Sequence, residues 1–120
     1  MLTTPTKVYL YTQATDMRKS FDGLIALTRN VIKHDPLSGY YFVFVNRTRS
    51  YLKILYYSHG GYCLWCKRLE QGRFAIVASN TESVELSYTQ LMMWIDGIAL
   101  ESRTQQRRYS LPQKDSSAIQ

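Results

Sequence analysis

Two extended runs, Tyr51 to Tyr57 and Tyr62 to Leu69, flank Ser58-His59-Gly60-Gly61, and this spacing constrains the chain more than any other feature in it. Adjacent glycines accept positive φ without steric cost, so the runs on either side of them close as a tight antiparallel hairpin. Tyr41-Phe42-Val43-Phe44-Val45 is aromatic and β-branched and is bounded by the polar stretch Asn46 to Ser50. Gln71-Gly72 makes another turn, after which Arg73 to Val77 reads as a further strand. Consecutive strands with short links usually lie side by side. The expectation for Tyr40 to Val77 is a four-stranded antiparallel meander.

Before it, Lys7 to Tyr11 alternates as a short strand, with Val8 and Leu10 on one face. Thr15 and Asp16 offer an N-cap to a helix whose apolar positions, Met17, Phe21, Leu24, Ile25, Thr28, Val31 and Ile32, recur at three- and four-residue spacing. That helix should stop near Lys33 or His34, because Pro36 disfavours helical geometry at Asp35 and Pro36-Leu37-Ser38-Gly39 supplies turn chemistry. After the meander, Ala78 to Leu86 reads as a polar loop. Ser87-x-x-Gln90 then has capping-box spacing, and a second helix is expected over Tyr88 to Asp96, ended by a left-handed Gly97. Glu101 to Gln120 has few apolar residues and no periodicity, which predicts a polar, flexible tail. The expected fold is α+β: a single domain over 1–100 and a tail over 101–120. About five strands form an antiparallel meander in the order β-α-β-β-β-β-α, with two helices packed on one face.

A chain of 120 residues with 45% apolar residues can bury one core and no second, which excludes large multi-step enzymes. The N-terminus lacks a basic cluster followed by an apolar stretch, and no run is long and apolar enough for a membrane span. Cys63 and Cys66 are too close in sequence to staple a fold, so stability rests on burial and a reducing cytoplasm is the expected compartment. Fifteen Lys and Arg against nine Asp and Glu give a formal charge of +6, which suits a polyanionic partner but also plain solubility.

That charge is concentrated. Between Arg47 and Arg73 lie Arg47, Arg49, Lys53, Lys67, Arg68 and Arg73, with Glu70 the sole acid, interleaved with Tyr51, Tyr56, Tyr57, Tyr62 and Trp65. A hairpin that brings Lys53 and Lys67 to solvent beside Arg47 and Arg49 would present cations next to rings able to stack on bases, with Tyr57 and Tyr62 the candidate stackers. The alternative is a half-buried sheet whose outer face is merely solvated. Arg18, Lys19 and Asp22 fall on the polar side of the first helix, where Gly23 suggests close approach of another backbone, and here a phosphate contact and a solvated face are equally open. Cys63-Leu64-Trp65-Cys66 matches C-x-x-C, but residues three apart on a strand point to opposite faces, so neither a redox pair nor a metal site is expected. Asp22, Glu70 and Asp96 do not converge in this topology and His59 has no nucleophile beside it. No catalytic residue, cofactor or metal is expected.

Asp16-Met17-Arg18-Lys19-Ser20-Phe21-Asp22-Gly23-Leu24 carries a resemblance as well. So do Asp35-Pro36-Leu37-Ser38-Gly39 with Phe42-Val43-Phe44, Leu52-Lys53-Ile54-Leu55-Tyr56, and Lys67-Arg68-Leu69-Glu70-Gln71-Gly72-Arg73-Phe74. In this order and spacing they resemble the accessory protein encoded by the second reading frame of insertion-sequence-66-type transposons, the TnpB-type Orf2, over about Val8 to Gly97. Two departures are Tyr57-Ser58 where that pattern often has Trp-Asp, and Ile76-Val77 in place of Trp-Pro. The resemblance implies a non-catalytic role in DNA transposition beside a separate, larger transposase. Together with the charge it makes Arg18, Lys19, Arg47, Arg49, Lys53, Lys67, Arg68 and Arg73 the candidate contacts to DNA at transposon ends. The alternative is a protein-interaction subunit that assists the transposase without touching nucleic acid.

Overall fold

A computed structural model describes residues 4–97. The expectations for the tail, and for the boundary at residue 100, lie outside the described residues. The elements run β1 (Val8–Tyr11), α1 (Phe21–Leu27) continuing as a π-helical turn (Thr28–Ile32), β2 (Tyr41–Val45), β3 (Tyr51–Ser58), β4 (Gly61–Arg68), β5 (Ser83–Leu86) and α2 (Tyr88–Ile95). The α+β class, the five strands and the expected order of elements hold. One sheet contains all the strands in the order β4-β3-β2-β1-β5.

The hairpin forms, but its left-handed pair is His59 (φ 50°) and Gly60 (φ 85°) rather than the two glycines: they make a two-residue type I′ turn, and Gly61 already pairs with Ser58 as the first residue of β4. At the other end of β3, Asn46 organises the turn. Its side-chain oxygen accepts from the amides of Ser50 (2.9 Å) and Tyr51 (3.2 Å) while its own amide donates to the Tyr51 carbonyl.

Three expectations are corrected. First, the sheet is mixed rather than a pure antiparallel meander, because β1 lies parallel to β2 (Val8↔Tyr41, Leu10↔Val43) with α1 as the crossover. Second, Arg73 to Val77 is not a strand. Its polar groups are taken elsewhere: the Phe74 amide donates to the Arg49 carbonyl at 2.7 Å, and the Ala75 carbonyl accepts from the Trp94 indole at 2.8 Å. The fifth strand is Ser83–Leu86, in the stretch expected to be a loop, and it pairs with β1 (Val8↔Leu86, Tyr11↔Ser83) at the far edge.

Third, the helices cover opposite faces. On one, Val8, Leu10, Tyr41, Val43, Leu52 and Ile54 pack with Phe74 and with Leu91, Trp94 and Ile95 of α2. On the other, Tyr9, Phe42, Phe44 and Leu55 pack with Leu24 of α1 and Ile32. β2 is therefore buried along its whole length, since both sets of alternating side chains meet a core.

Local chemistry explains both helices. The capping box of α2 is complete, with the Gln90 amide donating to the Ser87 hydroxyl and the Ser87 amide to the Gln90 side chain, and Gly97 adopts φ 96° beyond its end. The first helix begins later than expected, after Ser20. Asp16 instead holds a turn, accepting from the Arg18 amide on its carboxylate and from the Lys19 amide on its carbonyl. The Thr28 hydroxyl donates back to the Leu24 carbonyl at 2.9 Å where the α-helix gives way to the wider π turn, and Lys33 ends it in the left-handed region. A Cβ on Gly23 would sit 3.2 Å from Cβ and Cγ of Lys19, so the close approach expected there is to a side-chain stem and not to another backbone.

Candidate nucleic-acid interface

Sheet topology decides where the basic residues go. β1 and β2 both finish, β3 starts and β4 finishes at one end of the sheet, so the β1–α1 connection, the β2–β3 turn and the segment after β4 all emerge there. The first two carry Arg18 and Lys19, and Arg47 and Arg49, respectively; Arg68 ends β4 there and Arg73 lies in the segment that follows. Two hydrogen bonds bring the last segment back onto the turn: Phe74 donates its amide to the Arg49 carbonyl, and Arg49 Nε donates to the Phe74 carbonyl at 3.0 Å. Arg73 is thereby held next to the turn that carries Arg47. The basic residues gather on an end of the sheet rather than on a face of it.

Within this end the cations have different duties. Arg18 forks onto the Asp16 carboxylate, Nε at 3.0 and 3.1 Å and Nη2 at 2.6 Å, and these bonds hold the Asp16 pKa down at about 2 while raising that of Arg18. Arg68 reaches Glu70 at 3.6 Å with both side chains exposed. Arg49, half-buried, is held by the Phe74 carbonyl. Arg47 and Arg73 are exposed and enter no hydrogen bond or ion pair among the described residues. With exposed Lys19, whose side chain likewise enters none among the described residues, they are the cations most open to a phosphate.

Two shallow hollows flank Arg47. One, of about 470 Å³, lies between Ala14 to Met17 and Asn46 to Thr48; the other, of about 270 Å³, is bordered by Arg47, Arg49, Ile76 and Trp94 among others. Thr15, on the wall of the first, is 4% exposed, and its hydroxyl has no hydrogen-bond partner among the described residues, although its amide donates to the Val45 carbonyl.

Lys53 and Lys67 depart from the expected pattern. Lys53 pairs with Cys66 and Lys67 with Leu52, and directly opposed residues share a face, so the two lysines lie on opposite faces of the hairpin instead of together at solvent. Lys53 is 8% exposed and donates to the Lys19 carbonyl at 2.7 Å, tying the β1–α1 connection to the sheet. Lys67 donates to the Ile95 carbonyl at 3.1 Å and so meets the negative end of α2. Tyr57 and Tyr62 meet edge to face with centroids 5.3 Å apart at the opposite end of the hairpin from Arg47, so the candidate stackers are not gathered with the arginines. Cys63 and Cys66 fall on opposite faces of β4, as their spacing dictates.

The sequence profile described as "IS66 Orf2 like protein" matches residues 6–116. This chain belongs to the IS66 Orf2-like family. The match extends past the Val8–Gly97 span expected from the motifs and into the terminal segment. Among relatives in Sinorhizobium fredii, uncharacterized protein y4hO is 37% identical over 92 residues, covering 77% of this chain and 80% of its own length. Uncharacterized protein y4jC is 27% identical over 92 residues, covering 77% and 79%. No solved structure matches the chain.

In this IS66 Orf2-like protein two of the motif stretches, Phe42 to Phe44 and Leu52 to Tyr56, lie within β2 and β3, and two lie at the basic end of the sheet. Asp16 to Leu24 forms the end of the β1–α1 connection and the start of α1, and Lys67 to Phe74 leads from the end of β4 back to the Arg49 turn. The place of Thr15 and Asn46 at this end is not visible in the sequence, where Thr15 reads as a helix N-cap and Asn46 as one residue of a polar stretch. Among the described residues, no helix is long and apolar enough to cross a membrane.

Proposed function

We propose that this protein is a non-catalytic accessory factor in the transposition of a mobile element, acting in the cytoplasm beside a separate transposase and contacting DNA phosphates through the basic end of its sheet. The observation that supports this reading is the convergence of Arg18, Lys19, Arg47, Arg49, Arg68 and Arg73 on one end of the sheet, where they outnumber Asp16 and Glu70, engaged by Arg18 and Arg68, and Glu82 just before β5. Clustered charge of this kind attracts a polyanion through counterion release, and the exposed Arg47 and Arg73 are free to take phosphates. In this reading Lys53 and Lys67 hold the fold, and the DNA contact passes to the loops.

The test is a fluorescence-anisotropy titration of the full chain against a duplex carrying a transposon end and a scrambled duplex, each at several salt concentrations. Neutralising about five phosphates gives a log-log salt slope of roughly −4 to −5, and Arg47→Gln with Arg73→Gln should make it shallower by about 1.8. A stronger affinity for the transposon end would separate recognition from plain charge attraction. Absence of binding at low salt would overturn the DNA contact. The second reading, an adaptor for the transposase alone, would then stand on exposed Ile76, 65% accessible, beside the same arginines.

A further inference from the structure

Among the described residues the eight-residue strand β4 forms one edge of the sheet, and its hydrogen-bonding phase follows from the hairpin turn. A two-residue loop makes Ser58 and Gly61 a hydrogen-bonded pair, and the bond from the Leu69 amide to the Ser50 carbonyl, 2.7 Å, sets the same phase at the other end. Gly61, Cys63, Trp65 and Lys67 therefore direct their main-chain groups to β3. Tyr62, Leu64, Cys66 and Arg68 direct theirs outward.

Sheet edges are normally protected by shortness, proline, a bulge or an added charge. The opposite edge, β5, has four residues and an exposed Glu85. β4 is twice as long, contains no proline, pairs without a bulge from Tyr51↔Arg68 to Ser58↔Gly61, and carries no charge before Lys67. Leu64 and Trp65 at its middle are only half-buried, whereas every residue of β2 is buried.

We propose that β4 pairs antiparallel with β4 of a second copy of this chain across a two-fold axis, joining two sheets into one. Charge suits this occupant and sets this direction. Both cations of the strand, Lys67 and Arg68, sit at its C-terminal end, so a two-fold sets each basic end against the neutral Gly61-Tyr62 end of the other copy. A parallel neighbour would place like charges side by side. The terminal segment of the same chain is a poorer match, since Glu101 to Gln120 has only Tyr109, Leu111, Ala118 and Ile119 as apolar side chains outside Pro112.

The register is also determined. Outward-directed residues must meet outward-directed residues, and all four are used only when Tyr62 stands opposite Arg68 and Leu64 opposite Cys66 of the second copy. The two Trp65 residues then face each other at the axis as a non-hydrogen-bonded pair, and each Arg68 guanidinium lies beside a Tyr62 ring. The inference is independent of DNA binding.

Sedimentation equilibrium on the full chain tests it. The expected mass is twice 14.0 kDa at high micromolar concentration. Leu64→Pro removes an N–H that points away from β3, so it should return the mass to 14.0 kDa while the cooperative thermal transition is kept. As a second readout, Trp65→Cys in a Cys63→Ser, Cys66→Ser background should cross-link on mild oxidation, because a non-hydrogen-bonded pair brings its Cα atoms to about 4.5 Å, within disulfide range. A monomeric wild-type chain would overturn the proposal, as would a dimer that survives Leu64→Pro and does not cross-link. A monomer with slow hydrogen exchange at Tyr62, Leu64, Cys66 and Arg68 would overturn it too, and would assign the edge to the terminal segment.

Discussion

Lys53→Met separates two roles for a cation whose sequence context suggests a DNA contact and whose surroundings suggest a strut. The ammonium is 8% exposed with its residue, donates to the Lys19 carbonyl at 2.7 Å and lies 5.8 Å from the centre of the Tyr51 ring. A hydrogen bond from a charged donor contributes about 1.5–3 kcal/mol net. Here the abandoned acceptor belongs to an exposed residue and can be rehydrated, and methionine keeps the apolar stem in place, so the loss should fall near the lower end of that range, about 1.5 kcal/mol. For a domain of this size that lowers the melting temperature by roughly 6–12 °C. Thermal and urea unfolding measure it, with the urea m-value unchanged. DNA affinity and its salt slope, measured by anisotropy well below the transition, should stay at wild-type values. An unaltered melting temperature together with a salt slope shallower by about 0.9 would refute the strut and return Lys53 to the phosphate-binding set.

Trp94→Phe leaves the Ala75 carbonyl without its indole donor and opens space beside Phe74, and should cost about 1–2 kcal/mol in urea unfolding. His59→Asn should stabilise the hairpin by about 0.5 kcal/mol, because asparagine tolerates the left-handed φ of 50° better than histidine, and Gly60→Ala should destabilise it by about 1 kcal/mol; thermal unfolding reads both. The Asp16 carboxyl, followed by NMR, should titrate near 2 instead of the usual 3.8 and move back up in Arg18→Ala. Since the folded value is the lower one, any stability from the pair is complete above the unfolded value of 3.8 and is lost as pH falls through about 2.

Features fixed by a few neighbouring residues were legible in the sequence: a tight hairpin within Ser58 to Gly61, though not its left-handed His59, the Ser87–Gln90 capping box, the left-handed Gly97 and the end of the first helix at Lys33. What escaped depends on distant partners. Arg73 to Val77 is a short apolar run and Ser83 to Leu86 a short alternating one inside a polar stretch, and which of them joins the sheet is set by such partners: the first is held by Arg49 and Trp94, the second by β1. One signal for the two-sided core was present: Tyr41 to Val45 is apolar without a break, which marks a strand buried on both faces and requires cover on each. At the candidate site, net charge and clustering were visible, but which lysines are consumed by backbone carbonyls is a matter of strand register. Lys53 and Lys67 could be separated from Arg47 and Arg73 only once Leu52↔Lys67 and Lys53↔Cys66 were known.

The pairing of β1 with β5 has a consequence for the order in which the molecule can assemble. Val8 meets Leu86, so the ends of the described domain are sheet neighbours, whereas the β3–β4 hairpin is closed by His59 and Gly60 alone. On a ribosome the hairpin can zip while the rest of the chain is still being made, but β1 must wait for Leu86 and for Leu91 and Trp94 of α2 before one face of its core exists. Until then β1 is an open edge on a growing chain. Slowing translation between Val77 and Ser83 would lengthen that exposed interval, and release of the finished chain would end it.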